Sequence, residues 1–166
     1  MNIVTNADTQ LFYWLFARTQ NRSMSWVKQI SKTGDGPIYT FAAIILFFFA
    51  EQGHAFVATG LQAFAFELPL YIILKNVFKR GRPSDVIISA HIVPSDKFSL
   101  PSGHTAAAFV MATVISFYWP FLTPFIFAWA CLIGLSRVLL GVHYPSDVFC
   151  GAALGMSCAW LSIQLI

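Results

Sequence analysis

Two histidines stand among cations in this 166-residue chain, in three short polar groups separated by apolar runs. The first group is Lys75 with Arg82-Pro83. The second is Pro101-Ser102-Gly103-His104. The third is Ser136-Arg137, then His143 and Asp147. Lys75, Arg82 and Arg137 are costly beside a bilayer unless paired. The nearby carboxylates are Asp147 and Asp85, so an anionic ligand is the missing partner, and Arg pairs phosphate oxygens bidentately. Ser102 sits where a helix N-cap would be, and Gly103 lets backbone approach closely, which adds free amides to an anion site. A Pro-Ser-Gly-His string alone reads equally as a plain helix start.

Paired histidines add chemistry that a simple anion site does not need. In phosphoryl transfer one imidazole attacks phosphorus while the other protonates the departing oxygen, with cations on the equatorial oxygens. Asp147, four residues after His143, is placed to hold that ring in its attacking tautomer. No cluster of Asp and Glu suits a divalent metal, so neither a metal nor another cofactor is expected. His54 and His91 have no comparable setting.

The elements that must position these groups are membrane helices. Hydrophobic residues make up 57% of the chain and charged residues 10%, against about 25% charged in an ordinary soluble domain. Continuous apolar runs exclude the alternation of a barrel. The chain reads as a single domain over 1–166, an all-α integral membrane helical bundle of about five transmembrane helices. Spans are expected near 37–50, 55–75, 103–118, 122–140 and 146–166, with 37–166 forming the bundle. The first and third are short for a hydrocarbon core, so tilt is expected. Residues 8–33 mix Trp14 and Trp26 with Arg18, Arg22, Lys28 and Lys32, which predicts an interfacial amphipathic helix. Met1–Gln10 lacks a basic start followed by an apolar core, so no cleavable signal peptide is expected.

Topology then brings the islands together. The second span ends, and the third begins, on one membrane face; the third and fourth turn at Trp119–Pro124 on the other. The fourth returns to the first face, where the fifth starts. All three polar groups therefore meet at one end. The connection over 84–99, with Val86-Ile87-Ile88 and Ile92-Val93, is expected to rest near that site as a lid or binding segment.

Other features have two readings each. Glu67, inside the second span, is either functional or a neutral carboxyl bonded to a neighbouring helix. Gly151 and Gly155 form a small-xxx-small face that suits a homodimer or packing within the chain, and general usage favours the second. Cys131, Cys150 and Cys158 have no metal spacing and read as small hydrophobes.

Together the islands, Lys75-x6-Arg82-Pro83, Pro101-Ser102-Gly103-His104 and Ser136-Arg137-x5-His143-x3-Asp147, resemble the three signature motifs of the type-2 phosphatidic acid phosphatase superfamily. The resemblance covers about 37–166. It implies His143 as phosphohistidine nucleophile, Asp147 as its orienting partner and His104 as general acid. Lys75, Arg82, Ser102, Gly103 and Arg137 correspond to the phosphate-binding set. It implies metal-independent hydrolysis of a lipid phosphate or diphosphate, with undecaprenyl diphosphate favoured over phosphatidylglycerophosphate and phosphatidic acid. Partners would be the lipid substrate and membrane lipids, not nucleic acid. Many members have six spans; here the stretch at 8–33 stands in place of the first.

The resemblance further implies a bacterial inner membrane with the site facing the periplasm. A literal positive-inside count points the other way, because Lys75, Lys79, Arg80, Arg82, Lys97 and Arg137 share the site's end. A non-enzymatic lipid-phosphate carrier would need the cations but not the paired histidines. Vanadate-dependent halide oxidation shares the pocket type, but membrane character speaks against it.

Overall fold

A computed structural model of the chain describes residues 3–19, 22–85, 90–94 and 96–166. Among these described residues seven α-helices occur: α1 (Ile3–Ala17), α2 (Ser25–Lys32), α3 (Gly36–Phe49), α4 (Gly53–Phe78), α5 (Gly103–Tyr118), α6 (Thr123–Leu139) and α7 (Pro145–Gln164). Short 3₁₀ turns precede α6 at Pro120–Leu122 and follow α4 at Pro83–Asp85. Among the described residues three segments are long and apolar enough to cross a membrane: Gly53–Phe78, Pro120–Leu139 and Pro145–Gln164. The helices α3 and α5 are apolar but shorter, at 14 and 16 residues, or roughly 21–24 Å. This is an integral membrane helical bundle, and its five hydrophobic helices begin and end within a few residues of the expected spans.

The bundle is built with its small residues inside. Helix α5 is the central post, with Ala106, Ala108, Val110 and Ala112 fully or nearly buried between α4, α6 and α7. Many large apolar side chains point outward instead: Phe48, Phe49, Leu61, Phe125 and Phe149 are all exposed, although Phe56 and Ile133 are buried in the core. Lipid removes the hydrophobic drive for helix association, so close backbone packing must supply it, and small residues permit that. Gly151 and Gly155 show how close. A Cβ at Gly151 would lie 2.5 Å from the Ser102 carbonyl oxygen, and one at Gly155 would lie 2.2 Å from that of Ala106. The small-xxx-small face of α7 is thus consumed by α5 within the same chain, and this contact sets the depth of the His104 helix relative to the Asp147 helix.

The stretch 8–33 forms two helices rather than one. Phe12 and Phe16 of α1 are buried against Val138, with Tyr144 and Val148 packed alongside. Van der Waals contact with the bundle fixes that helix end. Met24 and Val27 pack with Leu140 and Ile92, so α2 docks on the α6 end and on the connecting loop. Val86, Ile87 and Ile88 of that loop lie outside the described residues.

Overpacking a tight backbone contact costs about 1–3 kcal/mol. The substitution Gly155→Val is expected to lower the thermal midpoint in detergent by several degrees. Gly60, whose Cβ would meet nothing within 4 Å, should accept Ala with little change. Equal shifts at both positions would contradict the packing role given to Gly155.

Candidate active site

The three polar groups meet at one end of the bundle. Arg82 follows the end of α4 and is 2% exposed. One of its terminal nitrogens donates to the Val142 carbonyl at 2.9 Å and lies 3.2 Å from His143 Nε2. A guanidinium only donates, so Nε2 is the accepting, unprotonated nitrogen and the ring proton sits on Nδ1. That nitrogen faces Asp147 Oδ2 at 3.6 Å, too long for a hydrogen bond but within ion-pair range. Burial, which penalises the imidazolium, pushes His143 down to about 4; Asp147 opposes that shift and the Arg82 charge adds to it. His143 is therefore a neutral base at physiological pH, with its lone pair aimed at the cationic centre.

Asp147 opens α7 and is fully buried. Its Oδ2 accepts the Tyr144 N–H at 2.8 Å, capping the helix. Its Oδ1 accepts from Arg80 at 2.8 Å. Arg80 also pairs with Asp8 of α1 at 2.6 Å and lies over the Tyr144 ring. Asp8 in turn accepts from the Ser146 N–H and hydroxyl. Helix α1 is thereby clamped to the start of α7, and Asp147 is held from two sides while it faces His143.

His104 is placed by the first turn of α5, after Ser102. The Ser102 N–H donates to the Asp147 carbonyl at 3.0 Å, and Thr105 donates to the Ser102 hydroxyl at 2.9 Å. Gly103 lets Tyr71 of α4 approach; a Cβ there would lie 2.9 Å from its ring. His104 Nε2 hydrogen-bonds Asp35 Oδ1 at 2.8 Å. Arg137, near the end of α6, donates to Ser31 at 2.6 Å, while its buried Nε has no partner among the described residues.

The cationic seat is not empty of charge. Asp96, from the connection between α4 and α5, pairs with both Lys75 and Arg82 and accepts from the Tyr71 hydroxyl at 2.6 Å. Burial alone would raise its pKa, but the bonds from Lys75 and Tyr71 and the charge of Arg82 outweigh that and lower it. A carboxylate from the chain thus sits where an anion would contact Lys75 and Arg82, and Arg82 also meets His143. The connection is pinned on either side, since the Ser99 N–H donates to the Arg80 carbonyl and the His91 N–H to that of Leu140.

Sequence reasoning missed Asp96, Asp35, Arg80 and Asp8. It named Asp85 as a nearby carboxylate, but Asp85 instead accepts the Arg82 backbone N–H at 2.8 Å and shapes the turn. Asp96 carried one signal: it is an acid five residues before Pro101, in a connection already singled out for its length.

From His104 and Asp35 a cavity of about 820 Å³ runs down between α3, α4 and α5. Its deeper walls are apolar, with Phe47, Phe56, Phe64 and Met111. Ile44, Phe48 and Leu61 on its rim are exposed on the bundle surface, so it opens sideways toward lipid.

A sequence model of the PAP2 superfamily matches residues 53–166. Decaprenylphosphoryl-5-phosphoribose phosphatase of Mycobacterium tuberculosis is 38% identical over 89 residues, covering 51% of this chain and 46% of that protein. The chain spans about half the length of the curated relatives it matches. The crystal structure of Aquifex aeolicus LpxE superposes with a TM-score of 0.81 at 30% identity, covering 94% of each chain. That of a PAP2-type phosphatidylglycerolphosphate phosphatase from Bacillus subtilis gives 0.76 at 27% identity, covering 99% of this chain and 87% of that one.

If an anion binds Lys75 and Arg82 it must displace Asp96, and Asp96→Asn is then expected to bind inorganic phosphate or vanadate roughly tenfold tighter, equivalent to about 1.4 kcal/mol. Calorimetric titration in detergent measures it. Weaker binding by the variant would mean that Asp96 orients the cations instead of occupying their ligand's place.

Proposed function

Since the chain belongs to the PAP2 superfamily, we propose that it hydrolyses a lipid phosphate through a covalent phosphohistidine on His143. One observation carries this reading: Arg82 meets Nε2 of a buried neutral His143 whose other nitrogen faces Asp147. An anion held by Arg82 and Lys75 would have its phosphorus next to that lone pair.

The steps follow from these positions. Substrate phosphate displaces Asp96 and lies against Lys75, Arg82 and Arg137, with the Gly103 amide and Ser102 beside it. His143 Nε2 attacks phosphorus, the bond to the lipid oxygen breaks, and His104 gives that oxygen its proton. Asp35 holds the His104 ring through Nε2, which leaves Nδ1 for the proton transfer, and Asp147 stabilises the charge arising on His143. Water then attacks the phosphohistidine, losing its proton to His104, and the P–N bond breaks to release phosphate. The fixed cations offset the charge on the equatorial oxygens.

The lateral cavity supports a lipid as the phosphate's carrier, because it joins His104 to the bilayer along apolar walls. Undecaprenyl diphosphate is the substrate that the motif resemblance favours, with phosphatidylglycerophosphate and phosphatidic acid beside it in the panel; the polar groups lining the cavity argue for a different order. The site faces the periplasm or exterior in this reading. Of the six cations counted against that orientation, Arg80 joins Lys75, Arg82 and Arg137 as a partner of the site's own groups, and Lys79 and Lys97 are left exposed.

In micelles with EDTA present, His143→Ala is expected to lose at least about 10³-fold in phosphate release. His104→Ala should lose roughly 10²–10⁴-fold on a lipid alkoxide leaving group and far less on p-nitrophenyl phosphate, whose leaving group needs no proton. Turnover near wild type for His143→Ala, in protein that remains folded, would refute the nucleophile; equal losses of His104→Ala on both substrates would refute the acid.

A further inference from the structure

One buried acid takes no part in the chemistry above. Glu67 lies on α4 one helical turn before Tyr71, and it is 2% exposed. No described residue hydrogen-bonds or ion-pairs its carboxyl, which lines the lateral cavity. On the facing wall, Tyr39 of α3 also lines the cavity, and its buried hydroxyl has no partner among the described residues. Tyr39 lies one turn after Asp35, the partner of His104. Tyr71 touches Asp96 in the phosphate seat. By helix register each of these unpartnered groups lies one turn below the site end of its own helix, or roughly 6 Å deeper. Beneath them the walls are apolar, with Phe47, Phe56 and Met111.

An unpartnered carboxyl inside an apolar span is unfavourable unless a ligand completes it. Folding alone gains nothing from Glu67 at this place. A pure hydrocarbon chain would leave it unpaired with its water displaced.

We propose that Glu67 and Tyr39 form a specificity subsite for the linker of the lipid. The class of substrate it selects is a lipid monophosphate carrying a free hydroxyl or amide N–H on the carbons just below the phosphoester, such as a sugar- or amino-alcohol-based lipid phosphate. Prenyl diphosphates lack such donors and are disfavoured. Glu67 accepts the donor's hydrogen, and the Tyr39 hydroxyl bonds a neighbouring oxygen. The inference rests on the phosphatase reading and deepens it.

The test compares ceramide 1-phosphate with phosphatidic acid of matched chains in mixed micelles. Both have two chains, but only the first carries a hydroxyl and an amide N–H below the phosphate. Undecaprenyl diphosphate and p-nitrophenyl phosphate complete the panel. Wild type should favour ceramide 1-phosphate over phosphatidic acid in kcat/KM. Glu67→Leu should shrink that ratio roughly tenfold, as expected for one lost buried hydrogen bond to a polar ligand group, mainly through KM. Glu67→Gln, which still accepts a hydrogen bond, should retain most of it, and Tyr39→Phe should shrink it less. The readout is a ratio within each variant, so partial loss of folded protein cancels. A ratio unchanged in Glu67→Leu, or a wild-type preference for undecaprenyl diphosphate, would overturn the subsite while leaving the phosphatase reading intact. No phosphate release from any of the four substrates would overturn the phosphatase reading itself.

Discussion

Lys75, Arg82 and Arg137 bring three positive charges to one end of an apolar bundle, and all three are buried. Desolvating such charges costs several kcal/mol each unless partners offset it. Much of the site's architecture answers that cost. Asp96 reaches in from the α4–α5 connection to meet Lys75 and Arg82. Carbonyl oxygens of Phe98, Asp96 and Val142 accept further N–H bonds from Lys75 and Arg82. Ser31 of α2 meets Arg137. Each of these partners belongs to a loop or to a peripheral helix. The cations therefore organise the periphery around themselves, and a phosphate would inherit a seat already shaped for oxygen.

The same logic explains the two N-terminal helices. Asp8 and Ser31 each partner a basic residue at the site end, Arg80 and Arg137. Hydrophobic contact of Phe12 and Phe16 with Val138 then fixes α1 on the bundle. Within the stretch read as interfacial, α1 also braces Arg80, and through it Asp147. Inside, the glycines of α7 let α5 come close enough for the Ser102 N–H to reach the Asp147 carbonyl. The His104 and His143 ends are thereby linked through one backbone hydrogen bond.

The helical framework was largely legible in the sequence because lipid imposes a simple rule: long apolar runs must be helices that satisfy their own backbone. Span limits, the shared membrane end and the pairing of His143 with Asp147 all follow from that rule and from spacing. The partners of the cations did not. Asp96, Asp35 and Asp8 lie in a connection, a helix-breaking turn and the first helix, and nothing periodic links them to Lys75, His104 or Arg80. Such contacts depend on how loops fold over a finished bundle. Arg80 looked like spare charge next to Lys79, yet it lies against Tyr144 and bonds Asp147. Glu67 was legible as an anomaly, but only the cavity gave it a place relative to the reacting groups.

The central claim is that the neutral, buried His143 becomes covalently phosphorylated. Rapid acid-free quenching of enzyme with a ³²P-labelled lipid phosphate, followed by peptide mapping, tests it directly. The account predicts an acid-labile, alkali-stable phosphoryl group on the peptide bearing His143, formed and lost at rates that support turnover. Phosphate release with no label on His143, or with the label on His104, would contradict it.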